Sequence, residues 1–363
     1  MVRRVASVAP VSPRDPVADL RRIAFLLERT LEPTYRVRAF RSAANRAEST
    51  PAEELLDRAL AETLRELPGI GETTARCITE SLAGVTPAYL QKLEASAKPL
   101  AEGGAALRAA LRGDCHTHSD WSDGGSPIRE MAETARDLGH EYMVLTDHSP
   151  RLTVARGLTA ARLERQLDEV AALNDGYADL AASGGGAPFR ILTGIEVDIL
   201  DDGRLDQKAD LLARLDLVVA SVHSGLRMPE DEMTPRMVAA VANPHTDVLG
   251  HCTGRLIRGG RGTRPESRFD AEIVFAACER FGVAVEVNSR PERLDPPRRL
   301  LRMAVEAGCL FSVDTDAHAP GQLDWQPYGC ERAKQCEVPV ERVVNSWAAD
   351  DLLAWTADHS VRP

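Results

Sequence analysis

Six of the nine histidines in this 363-residue chain fall in short acidic or histidine-bearing motifs between residues 116 and 318. Each motif lies where a β-strand is expected to end: DCHTHSDWSDG (114 to 124), LTDHS (145 to 149), GIEVD (194 to 198), SVHS (221 to 224), GHCTGR (250 to 255) and DTDAH (314 to 318). Few folds bring that many strand ends to one place. Imidazole nitrogen and carboxylate oxygen together suit Zn, Mn or Fe, and a carboxylate can bridge ions that neutral histidines would leave repelling each other. The candidate ligands are His116, His118, Asp123, His148, Glu196, His223, His251, Asp316 and His318. One zinc takes about four ligands. The set therefore predicts two or three divalent ions sharing Glu196, with positions left for water and hence for catalysis.

Alternation along a strand points His116 and His118 to the same side, and turns the neighbouring Cys115 and Cys252 away from the site into packing. His140, His245 and His359 have no such company and read as structural.

Apolar runs at 142 to 146, 189 to 197, 215 to 222, 248 to 250, 283 to 287 and 309 to 313 are short, and several lack a polar alternate face. Strands buried on both sides belong to parallel sheets. Helical patterns at 127 to 139, 159 to 183, 270 to 282 and 296 to 308 lie between them, several ending at a Gly that tolerates a left-handed cap. Strand-helix alternation with chemistry at strand ends predicts an α/β fold, a (β/α) barrel.

The first hundred residues differ in kind. In ELPGIGETTARCITESLAG (66 to 84) a Gly-x-Gly turn precedes a helix with Ala75, Ile78 and Leu82 at helical spacing. Backbone N–H groups there can receive a phosphate. Gly69, Ile70, Gly71, Thr73 and Arg76 are the candidate DNA contacts. The whole chain carries a formal charge of −11, which argues against general nucleic-acid affinity. Residues 1 to 46 nevertheless hold ten Arg against four acids, while residues 113 to 363 hold 27 basic and 41 acidic side chains.

The ordered series H-x-H, S-D-G, T-D-H, G-x-E, S-x-H, G-H and D-x-H resembles the PHP (polymerase and histidinol phosphatase) superfamily over about residues 112 to 357. The strings TDHSP, GIEVDIL, HCTGRL, AVEVNSRPERLD and VDTDAH are most similar to the PHP domain of bacterial family X DNA polymerases. That resemblance implies a distorted seven-stranded barrel with three metal ions. His116, His118, Glu196 and Asp316 would hold the first, Glu196, His223 and His251 the second, and Asp123, His148 and His318 the third. The turn at 69 to 71 resembles a helix-hairpin-helix clamp on the DNA backbone, and residues 17 to 49 resemble the small N-terminal domain of family X polymerases. The expected organisation is a flexible tail (1 to 16), a helical DNA-binding domain (17 to 95), a linker (96 to 113) and the PHP domain (114 to 357).

Two departures from that family stand out. The Ala- and Gly-rich linker leaves no room for a polymerase palm, so no DNA synthesis is expected. Cys77 stands where lyase members carry their Schiff-base lysine, so the amine for that chemistry is absent.

Adjacent cations would deprotonate a water near neutral pH and grip phosphoryl oxygens, so no protein nucleophile is required. Glu196, His251 and Asp316 are the metal-site residues expected to matter most for catalysis. Arg255 is placed to contact a phosphate oxygen, aided by Arg258 and Arg261, because the planar guanidinium fork suits phosphate. Asn288 and Arg290 are further candidates for substrate contact. Three functions remain open: a phosphoesterase acting on DNA in repair (3′–5′ exonuclease, 3′-phosphatase or abasic-site endonuclease), a small-molecule phosphatase resembling histidinol-phosphatase, and a catalytically silent adaptor. The partner is accordingly DNA or a small phosphate ester, and a monomer is compatible with the sequence. Seven cysteines without a C-x-x-C pair, no long apolar run and no secretory leader predict a reducing cytoplasm and no membrane association.

Overall fold

The computed structural model describes residues 14–260 and 262–359, the side chain of His359 excepted. The chain divides into two compact units, residues 1–99 and 100–363.

The first unit is all-helical: α1 (Pro16–Arg29), α2 (Thr34–Glu48), α3 (Ala52–Leu60), α4 (Glu72–Leu82) and α5 (Ala88–Ser96). Leu20, Ile23 and Leu27 form an apolar stripe on α1, which packs with Phe40, Ala43, Leu55, Ile70 and Ile78. Residues 14–16, the end of the expected flexible tail, are ordered. Asp15 caps α1 by accepting from Val17 N at 2.9 Å, and Arg14 pairs with Asp19 at 2.6 Å, so residues 14–16 are held in place. Ser81 Oγ donates to the same Asp19 at 2.7 Å and fastens α4 to α1. The rest of that tail lies outside the described residues.

The second unit is a parallel barrel of seven strands in sequential order: β1 (Gly113–Thr117), β2 (Tyr142–Leu145), β3 (Arg190–Asp198), β4 (Leu217–Ser221), β5 (Val248–Leu249), β6 (Ala284–Asn288) and β7 (Leu310–Asp314). A bridge between Thr117 and Ala317 brings β7 beside β1. The helices are α6 (Ala105–Ala110), α7 (Ile128–Asp137), α8 (Ala160–Ala182), α9 (Ala209–Leu212), α10 (Glu230–Val241), α11 (Ala271–Phe281), α12 (Arg298–Glu306), α13 (Gln326–Gln335) and α14 (Ala349–His359). Gly139, Gly184, Gly282 and Gly308, just beyond four of them, all take positive φ, the left-handed conformation that ends a helix without a Cβ penalty. The expected linker is partly structured, because Leu107 and Leu111 are buried in the barrel unit's main core and order α6.

Residues of alternate parity divide the barrel. Val218, Ala220, Val285, Val287, Phe311 and Val313 pack outward with Met233, Met237, Val274 and Leu301 of the helices. Tyr142, Val144, Leu192, Leu217, Val219, Val248 and Ala284 share the inner face with Leu352 of α14. That apolar plug lies on the amino-terminal side of the histidines and acids at the strand ends.

Candidate metal centre

All nine expected ligands converge at the carboxyl ends of the strands. Glu196, on β3, is 1% exposed, and both its oxygens are buried without a hydrogen-bond partner. Five imidazole nitrogens surround it. His148 Nδ1, His116 Nε2 and His118 Nε2 lie 2.8, 3.4 and 3.7 Å from Oε2, while His251 Nε2 and His223 Nε2 lie 2.9 and 3.2 Å from Oε1. On the outer side Asp123 Oδ1 stands 3.4 Å from His148 and 3.3 Å from His318, and Asp316 Oδ1 is 3.5 Å from His118.

Buried polar atoms without partners are costly. Besides Glu196, His116 Nε2, both nitrogens of His118 and His148 Nδ1 are in that position. Divalent cations among them would take up the lone pairs of imidazole nitrogen and carboxylate oxygen together, so the residues present fit metal ions. Among the described residues, three groups have ligand atoms close enough for one ion each: His118, Asp123, His148 and His318; His116, His118 and Asp316; and His148, Glu196 and His223. These overlap the expected three sets, with His148 facing both Asp123 and Glu196.

The electrostatics follow from packing acids among imidazoles. Burial opposes a charged Glu196, but His223, His116 and His148 hold its carboxyl well below the usual range. Asp316 is likewise held low against burial, by Arg290, His118 and Arg293. Burial, then His318 and His148, press His118 well below the ordinary histidine value. Asp316 also takes a left-handed backbone, φ +53°, a sparsely populated conformation found at functional sites.

The H-x-H motif does not work by simple alternation. The register between β1 and β2 slips between Asp114 and Thr117. Across that irregularity Cys115 joins the inner plug beside Tyr142 and Val144, while His116 and His118 both reach Glu196. Cys252 is buried in the outer core, as expected of a packing residue, and all seven cysteines are free and buried.

Several supporting residues escaped the sequence reading. Glu286 of β6 is fully buried, lies 2.6 Å from His116 Nδ1 and accepts from His251 N at 2.5 Å. Such a carboxylate fixes the imidazole's tautomer and raises its basicity as a ligand. Its signal was the alternation Val285-Glu286-Val287-Asn288, which places the acid inside with Asn288. Asp198 accepts from His223 N at 3.0 Å. Asp147 accepts from Ser119 N, Ser119 Oγ and Gln166 Nε2 at 2.9, 2.6 and 2.6 Å, and from Ser122 Oγ, thereby holding the loop that carries Asp123.

Arg255 is a correction. Its guanidinium donates to the carbonyls of Arg293 and Leu294 and lies 3.4 Å from Glu266, so it braces the loop after β6 and faces a cavity that contains none of the nine ligands. Arg258 Nε is tied to Pro291 O, and Arg261 lies outside the described residues. The cations at the metal cavity, about 590 Å³, are Arg227, Arg264, Arg290 and Arg293. Arg290 was expected there. Arg293 Nε lies 3.2 Å from Asp316 Oδ2. Asn288 Nδ2 is directed to Glu286 and, at 3.4 Å, to Asp316.

In the helical unit, Gly69 is exposed at φ +87° and Thr73 and Arg76 lie on the outer part of α4. Ile70 is a further correction. Its side chain is 6% exposed in the core and its N–H donates to Leu67 O, so it anchors the hairpin rather than facing a ligand. Gly71 N donates to Thr74 Oγ1 at 2.9 Å.

The PHP domain profile matches residues 114–290, and a helix-hairpin-helix profile matches residues 14–86. Residues 114–290 are thus a PHP domain. The chain is 40% identical over 245 residues to the Bacillus subtilis (strain 168) DNA polymerase/3′-5′ exonuclease PolX, covering 68% of this chain but 41% of that protein. A Thermoanaerobacter sp. (strain X514) protein named as a probable phosphatase is 29% identical over 216 residues, 56% of this chain and 78% of its own length. The histidinol phosphate phosphatase of Lactococcus lactis, solved with zinc, L-histidinol and phosphate, superposes at a TM-score of 0.41 with 16% identity, over 62% of this chain and 92% of that one.

Proposed function

We propose that this PHP-domain protein is a metal-dependent phosphoester hydrolase acting on DNA. The observation that carries the reading is Glu196, a buried carboxylate with no hydrogen bond of its own and five imidazole nitrogens within 3.7 Å. Two or three divalent ions held there by the nine ligands would supply an activated water and charge neutralisation at phosphorus. Glu286 and Asp198 orient His116 and His223, Asp147 fixes the loop of Asp123, and Arg290 and Arg293 bring positive charge to the same cavity. The DNA substrate is supported by the helix-hairpin-helix match and by the identity to PolX, and the reactions in view are 3′–5′ exonuclease, 3′-phosphatase and abasic-site cleavage.

The test is a metal-reconstituted screen that sets 3′-phosphorylated, abasic and gapped DNA beside histidinol phosphate and other phosphomonoesters. His118→Ala should lower hydrolysis at least about a hundredfold with an unchanged circular dichroism spectrum. Turnover of small phosphomonoesters alone would move the assignment to a small-molecule phosphatase, and near-parent activity of folded His118→Ala would refute the site.

A further inference from the structure

We infer that Arg227, Arg264 and Arg268 form a track leading out of the metal cavity that binds the phosphates of a polynucleotide strand beyond the reacting bond. The inference rests on the phosphoesterase reading and names the substrate class for that site.

Arg227 and Arg264 line both the metal cavity and a neighbouring groove of about 890 Å³, and Arg268 continues that groove. Arg227 and Arg268 are exposed, with no ion-pair or hydrogen-bond partner for their side chains among the described residues. Arg264 is anchored by its Nε, which donates to Gly254 O at 2.6 Å. Of the two acids lining the groove, Glu266 is engaged by Arg255 and Arg299, and Glu230 is exposed.

The charge runs against its surroundings. Residues 113 to 363 hold 41 acids against 27 bases, yet residues 255 to 268 hold five arginines and one acid. An unneutralised guanidinium fork beside a phosphoester site is suited to another phosphate. The other wall of the metal cavity is apolar, with Leu152, Ala155 and Val154, the last 89% exposed. That wall suits the sugar and base of the nucleotide being cut, while the charged strand leaves along the arginines. A small phosphomonoester has nothing to place on them.

The test uses the full chain loaded with manganese and a short fluorescein-labelled single strand with phosphorothioate linkages, read by anisotropy over a range of salt. Arg227→Gln/Arg268→Gln should weaken binding about tenfold and reduce the salt slope by roughly 1.4, at about 0.7 per phosphate contact on a single strand. Arg190→Gln/Arg280→Gln, at the opposite ends of the strands, removes the same charge and should leave both values near the parent's. Equal losses in the two pairs, or none in the first, would overturn the track. A protein that cleaves phosphoesters with strand binding indifferent to the first pair refutes the track alone. One inert on every ester yet sensitive to that pair refutes the phosphoesterase reading and leaves the track standing.

Discussion

Single residues matter here through what they hold as much as through what they ligate. Glu286 touches His116 and His251, two of the nine expected ligands. Glu286→Gln keeps the shape but removes the anion that polarises His116, so metal retention after dialysis and hydrolysis rate should both fall about 10- to 100-fold with the fold intact. Full metal occupancy and full activity in that variant would show Glu286 to be mere packing. His140 illustrates the opposite case, a histidine outside the site. Burial, with Arg108 nearby, pushes its imidazole down to about 3, and both ring nitrogens are buried without partners. In the unfolded chain it protonates near 6.5, so between roughly pH 3 and 6.5 the unfolded state binds more protons, and stability drains away as pH falls. At pH 5 the loss should be about 2 kcal/mol. Urea midpoints at pH 7.5 and pH 5 should therefore differ less for His140→Leu than for the parent; an identical difference would remove His140 from the acid response.

Among the elements, the hairpin before α4 separates stability from binding. Gly69 takes φ +87°, and the nearest atom to a Cβ built there, Ser42 Cβ, is at 3.5 Å, so a side chain would be penalised by the backbone rather than by a clash. Thr73, in the first turn of α4, offers a cleaner probe. Thr73→Glu puts an anion where the helix dipole welcomes one, so the melting temperature should hold or rise, while repulsion of a phosphate should weaken DNA binding about tenfold. Unchanged affinity would argue that this helix end does not face DNA. In the barrel, β1 departs from regular pairing between Asp114 and Thr117, and the pair of histidines depends on that departure.

The whole molecule should feel its metals as part of its stability. Ions that bind the folded barrel and not the unfolded chain contribute about 2.7 kcal/mol each at a hundredfold excess over Kd. Chelator should accordingly lower the melting temperature by roughly 5–10 °C per ion removed, reversibly on adding manganese or zinc. Elemental analysis of protein purified without chelator should find two or three ions per chain; zero or one, with no chelator effect, would end the multinuclear reading. What the sequence determined by itself is the order and chemistry of the ligands and the alternation of strand and helix. These are local matters: a buried parallel strand is a short apolar run, its end is marked by the polar residue that follows, and β2 to β7 start and stop within two residues of the runs that announced them. Only the tertiary structure decided which way long side chains point and what stands opposite a buried group. Arg255 turns to the carbonyls of Arg293 and Leu294, Ile70 into the helical core, and Glu286 meets a histidine 170 positions away. Such choices are made by partners distant in the chain, whose approach no local pattern of residues encodes.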